Sequence, residues 1–360
     1  MRFLNKKLMR NLLIIAGIFI LVFIILLIFS NKGDGSANLD YIKIEQKLVD
    51  ASKSYLKKTE LYPQEQGDII TISSDVLISN KYMKSFDKLT KDTNCFGQVY
   101  IQRNGENYNY MPNLTCDNYQ TNSFKNKITS LVREDGEDGV YLINNEYIYR
   151  GEKANNYLKM GDNIWRIIKM TDDGYLKIIM QKYEENAYIW DNRYNVTTKD
   201  YSGINEYEKS RISETLYKLY STKGNFGRLY IVPRYICVGK RAYNNFTLGT
   251  DEECSLKSEK VQYLDLINST DLAYASLDQN CNHTNDMACN NYNYFTGFFR
   301  GSWSLISEKD KVTSVYFYNI GNRITYKANS EKRVYLVAYV NANNTIKSGN
   351  GTSSSPYLIN

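Results

Sequence analysis

A chain of 360 residues, 42% apolar and 23% charged, is long enough for two folded domains beside an anchor and too apolar to stay disordered. Its formal charge is +6, but Arg2, Lys6, Lys7 and Arg10 stand together ahead of an apolar run; without those four the remainder carries +2. A body so close to neutral lacks the basic stripe a nucleic-acid partner requires, so none is expected. Tyrosine is abundant at 33 residues. AT-rich coding accounts for that, and a surface of aromatic faces for sugar stacking is the functional reading.

Leu12 to Phe29 is 18 residues without a charge or strongly polar group. At helical rise that is roughly 27 Å, the thickness of a hydrocarbon core. It is longer than a signal-peptide apolar region and leads into Ser30-Asn31-Lys32-Gly33 without a clear cleavage site. No cysteine follows it to carry a lipid. An uncleaved transmembrane helix at 12–29 is expected, with the lipid bilayer as partner. The basic flank keeps residues 1–11 in the cytoplasm and sends the rest outside the cell membrane.

Residues 30–40 read as a hinge, and 41–120 as a membrane-proximal α+β module. Asp40 can cap a helix bearing Ile44, Leu48, Ala51 and Tyr55 on one face, closed by Pro63 and Gly67. Residues 69–72 suggest a strand and 74–80 a short capped helix. Two alternating segments, 98–102 and 107–111, flank Asn104-Gly105, a favoured hairpin turn. Folding about it sets Cys95 opposite position 114, close to Cys116, so a bridge across the hairpin mouth is expected. A membrane helix, an amphipathic helix, strands and a late cysteine loop resemble the layout of type IV pilins and pseudopilins over 12–120. That family's prepilin-peptidase signature is absent here. The resemblance implies a pilin-like head and, as an alternative role, a component of a pilus-like or type II secretion-like envelope assembly.

The acidic, glycine-bearing stretch Glu134 to Gly139 marks residues 121–139 as a linker. Beyond it, 140–360 reads as mostly β. Residues 140–143 and 147–149 flank Asn144-Asn145, and 164–170 and 175–180 flank Thr171-Asp172-Asp173-Gly174, two hairpin signals. Residues 206–220 suggest a helix with Ile212, Leu216 and Leu219 inward, and late strands are expected at 312–318, 323–326 and 334–340. GVYLINNEYIYRGEKANNYLKMGDNIWRIIKMTDDGYLKII near the start, STDLAYAS in the middle and GNGTSSSPYLI at the end together resemble an uncharacterised cell-surface domain of Gram-positive bacteria. Such domains are similar to the C-type-lectin-like fold shared by formylglycine-generating enzymes. Phe299-Arg300-Gly301-Ser302-Trp303 echoes a run of that enzyme group. Lys332-Arg333 stands where Arg-Pro is customary. The fold class is therefore read as α+β: a transmembrane helix, a small pilin-like module and a larger, mostly-β C-type-lectin-like domain.

All six cysteines (Cys95, Cys116, Cys237, Cys254, Cys281 and Cys289) follow the apolar run, as an oxidising compartment permits. Local pairing Cys237–Cys254 and Cys281–Cys289 is simplest, although spacing does not fix connectivity. No CxxC occurs and His283 is the sole histidine, which argues against structural zinc. His283 and Asp286 lie between two cysteines that oxidation would inactivate as nucleophiles, so no catalytic residue is assigned. Asp271, Asp278, Asn280 and Asn282 offer hard oxygen donors, which leaves calcium a possible cofactor and no other expected. Trp190, Trp303, Tyr292, Tyr294 and Phe295 fall in or near irregular segments, where rings stack on a sugar or peptide or else fill core beneath loops. The role expected is non-catalytic recognition or adhesion, with a cell-wall or host glycan or an envelope protein as partner. An exported enzyme is the remaining alternative.

Overall fold

The computed structural model describes residues 39–223, 227–243, 252–278, 293–319 and 322–359. The chain divides into two compact units. One takes its described residues from Met1–Leu61, Thr71–Val99 and Pro112–Gln120, the other from Tyr62–Ile70, Tyr100–Met111 and Thr121–Asn360.

In the first unit the spacing of apolar residues 44, 48 and 51 becomes one buried helical face. Helix α1, residues 39–59, buries Ile44, Leu48, Ala51 and Leu56. Gly97 is needed opposite: a Cβ there would stand 2.8 Å from Leu48 Cδ1. Helix α2, Ser74–Ser79, begins where Ser73 Oγ accepts from the Val76 amide at 3.4 Å. Tyr119 stacks on Tyr41 at 4.5 Å and donates to Glu45 at 2.9 Å.

Strands β1 (Ile69–Ser73), β2 (Phe96–Asn104), β3 (Asn107–Cys116) and β4 (Tyr119–Gln120) form a four-stranded sheet in sequence order. The β2–β3 turn falls at Gly105–Glu106, with Gly105 at φ +64°, one residue later than expected. A one-residue slip in a turn moves the facing position by two, from 114 to 116. Cys95 and Cys116 are disulfide-bonded, with Cα atoms 4.1 Å apart.

The second unit is built mainly of strands. In chain order they are β5 (Gly139–Ile143), β6 (Glu146–Arg150), β7 (Tyr157–Met160), β8 (Asn163–Met170), β9 (Tyr175–Met180) and β10 (Tyr188–Ile189). Next come β11 (Lys240–Arg241), β12 (Asp265–Leu266), β13 (Ser302–Glu308), β14 (Ser314–Asn319) and β15 (Asn322–Lys327). The last are β16 (Glu331–Lys332), β17 (Leu336–Asn341), β18 (Ile346–Ser348) and β19 (Tyr357–Ile359). A large sheet runs β12-β17-β9-β8-β7-β19-β18, with β6 on β8 and β5 on β6. A second sheet runs β11-β13-β14-β15, and β10 pairs with β16 alone. Residues 165–170 are all buried, so β8 is covered on both faces and shows no in–out alternation. Asn144 and Asn145, at φ 50° and 64°, make the tight β5–β6 turn their sequence favours. Helix α3 is Phe124–Thr129; α4, Arg211–Thr222, buries Ile212 and Leu216; α5 is Ser269–Tyr274.

The α+β fold class expected from sequence is corrected. Strands dominate the described residues, and none of their helices is long and apolar enough to cross a membrane. The stretch 206–220 is a one-turn 3₁₀ segment, Tyr207–Lys209, followed by α4, and the two-residue strands β10, β11, β12 and β16 show no alternation to detect. The apolar run at 12–29 lies outside the described residues.

Candidate functional site

The sequence-predicted aromatic residues are placed first. Trp190, Trp303 and Phe295 are 0% exposed and Tyr294 2%. The four rings are core, not a stacking surface, and Tyr292 lies outside the described residues. Trp190 meets Trp303 edge-on at 6.2 Å, and the Trp303 indole donates to the Tyr188 carbonyl at 2.9 Å. Tyr294 lies 4.8 Å from the buried Arg166 guanidinium, which also covers Tyr157 at 3.7 Å. Burial, partly countered by Tyr157, holds Arg166 below the usual guanidinium range.

The calcium candidates do not come together as an open oxygen cage among the described residues. Asp271 is buried in the first turn of α5, within 2.6 Å of Lys177 and 3.3 Å of Lys169. Two ammonium groups already occupy the position a dication would need. Asp278 is half-buried, and Asn280, Asn282, Cys281, Cys289, His283 and Asp286 lie outside the described residues. One triad of possible metal ligands lies within reach there, Asp92 with Cys95 and Cys116, but both sulfurs are joined in the disulfide. Cys237 and Cys254 form a second disulfide.

The lysines around Asp271 belong to a charge cluster that sequence reading missed. Lys177 on β9 also lies 3.8 Å from Asp265 on β12, Tyr339 donates to Asp265 at 3.2 Å, and Lys169 on β8 reaches Glu146 at 2.8 Å. Burial would lower the Lys177 pKa, but Asp271, Tyr339 and Asp265 together hold it well above the ordinary value. Burial would raise Asp271, and Lys177 and Lys169 outweigh it and hold it low. Asp265, with less compensation, is pushed up to about 6 by burial, against the pull of Lys177. Charges answered in this way depend on one another, since removing either partner would leave a buried charge unmatched.

An open groove of about 490 Å³ lies on the second unit. Its walls are residues 183–187, ahead of β10, and β16 with Arg333; Phe317 of β14 and Tyr326 of β15 contribute rings. Trp303 packs beneath, 6.3 Å from both Phe317 and Tyr326. Gly301 permits this packing, since at φ +87° a Cβ would meet the Phe317 ring at 2.5 Å. The Phe299–Trp303 run singled out in the sequence thus supports the groove from below, and Lys332-Arg333 forms part of its wall.

The charges in the groove are unevenly matched. Glu184 pairs with Lys223 at 2.8 Å and Glu185 with Lys182 at 3.0 Å. Lys332 Nζ sits 3.4 Å over the Tyr326 ring, and the Arg333 guanidinium 4.9 Å over Tyr183. Arg333 also donates to the Arg300 carbonyl at 2.8 Å. Neither Lys332 nor Arg333 has a salt-bridge carboxylate among the described residues. Two steadied cations beside half-exposed rings can bind; no nucleophile–base pair accompanies them in the groove wall. No protein-family model, curated protein or solved structure matches the chain.

Proposed function

We propose that the chain is a membrane-anchored bacterial cell-surface protein whose second unit recognises an external glycan or protein without catalysing a reaction on it. The observation that carries this reading is the open groove, walled by Tyr183, Phe317, Tyr326, Lys332 and Arg333. Concave sites mixing aromatic faces with a few fixed polar groups are the usual form of a binding site. Two disulfides support residence in an oxidising compartment. The apolar run at 12–29 and its basic flank support an anchor in the bilayer, with residues 1–11 cytoplasmic and the remainder outside.

The test is a glycan and peptide array probed with full-length protein in detergent, alongside Tyr183→Ala. Tyr183 is 39% exposed, so its ring can be removed without opening the core. The bound features are expected to weaken about three- to tenfold in the variant, the scale of one stacked ring. Features bound equally by both proteins would remove the groove from recognition. Protease protection of a tag fused after Asn360 in intact cells would overturn the surface location.

A further inference from the structure

We infer that the groove selects an anionic carbohydrate, with a carboxylate or phosphate taken between Lys332 and Arg333 and a sugar ring set against Tyr183. This rests on the recognition reading above and adds the charge of the ligand to it.

The charges of the groove wall are unevenly paired. Of the three carboxylates in the groove wall, Glu184 and Glu185 are engaged by Lys223 and Lys182. The cations are not engaged by acids; they lie over Tyr326 and Tyr183. A cation resting on a ring keeps its full charge, because the ring's quadrupole neutralises nothing. The ring does limit the conformations of a long side chain. Lys and Arg are long side chains that lose much rotamer freedom when fixed. Part of that cost is met in the empty groove, so an anion arriving there pays less of it.

Glu331 is the one wall carboxylate that has no ion-pair partner among the described residues. Lys169, Lys177 and Arg241, buried elsewhere in this unit, are matched by carboxylates. At the groove a ligand supplies the missing anion. The aromatic wall selects a sugar over a bare anion, since a ring face adds contact that phosphate or carboxylate alone cannot use.

The experiment prints uronate-, sialate- and phosphate-bearing glycans beside their neutral parent sugars and probes them with full-length protein at low and high salt. Wild type, Tyr183→Ala and the double variant Lys332→Gln/Arg333→Gln are compared, with thermal unfolding as a check on folding. Acidic glycans are expected to bind at least about tenfold better than their parents, and added salt to erode that margin. The double variant is expected to lose about tenfold on acidic glycans, with its unfolding temperature unchanged. Equal binding of acidic and neutral sugars, or an unaffected double variant, overturns the charge selection. If Tyr183→Ala still weakens binding in that case, recognition by the groove survives without it. An array on which no glycan is bound through Tyr183 overturns both.

Discussion

Two cation sites in the second unit, one buried beside Tyr339 and one at the groove on Tyr326 and Tyr183, solve the same electrostatic problem in opposite ways. Beneath the large sheet, Lys169 and Lys177 are almost wholly buried and meet Glu146, Asp265 and Asp271, with Tyr339 bonded to Asp265. At the groove, Lys332 and Arg333 meet Tyr326 and Tyr183 and no carboxylate among the described residues. Water explains the contrast. A charge removed from solvent costs several kcal/mol unless matched, so the core supplies acids. A half-exposed charge remains solvated and can stay unmatched at little cost. Matched cations hold the fold; unmatched ones on a concave face are available to a ligand.

The largest effect that would sharpen this contrast comes from Lys177→Ala. Removing that ammonium strands Asp265 and leaves Asp271 with Lys169 alone, and denaturant unfolding of the full-length protein is expected to show a loss of about 3–5 kcal/mol. A loss below about 1 kcal/mol would mean the buried cluster is no more dependent on pairing than a surface one.

Asp265→Asn should produce a smaller change, and one that depends on pH. The folded-state pKa of Asp265, about 6, is above the ordinary value of 3.8, because burial penalises its charged form. The penalty is absent below pH 4, grows as pH rises, and is fully present above about 6. Asp271 is shifted the other way: its contribution is present above the ordinary carboxylate pKa and is lost as pH falls through its lower folded value. Asp265→Asn should therefore remove a decline in stability between pH 4 and 6, on the order of 1–3 kcal/mol, and leave acid unfolding below pH 4 in place. An unchanged slope across that window would show that Asp265 does not titrate there.

Lys332→Gln/Arg333→Gln is expected to have the smallest effect on stability, within about 0.5 kcal/mol by the same unfolding measurement. A loss approaching that of Lys177→Ala would break the contrast, because it would make the groove cations structural.

Legibility in the sequence followed the range of the interactions. Asn144-Asn145 announced a tight turn because two consecutive positive φ angles suit asparagine, and the β5–β6 hairpin turns there. The α1 face and the Ser73 cap were legible for the same local reason. The groove was not, because its walls lie at 183–187 and 331–333, far apart in the chain, and the β10–β16 pair between them is two residues long on each side. Trp190 follows β10 and Trp303 lies within β13, and a position read from sequence does not say whether a ring faces water or core. The missed signal was the presence of Arg166, Lys169 and Lys177 inside otherwise apolar strands. A charge at such a position calls for a buried partner, and Asp265 and Asp271 supply it for the two lysines from almost a hundred residues away.

The Cys95–Cys116 bond spans the base of a hairpin whose tip, Gly105–Glu106, is exposed. A glutamate-specific endopeptidase cutting after Glu106 would divide the polypeptide into two fragments with the sulfur bridge still linking them. Such a clipped protein would migrate as one species on a non-reducing gel and separate into two once thiol is added, so damage at that loop would release neither fragment until a reductant arrived.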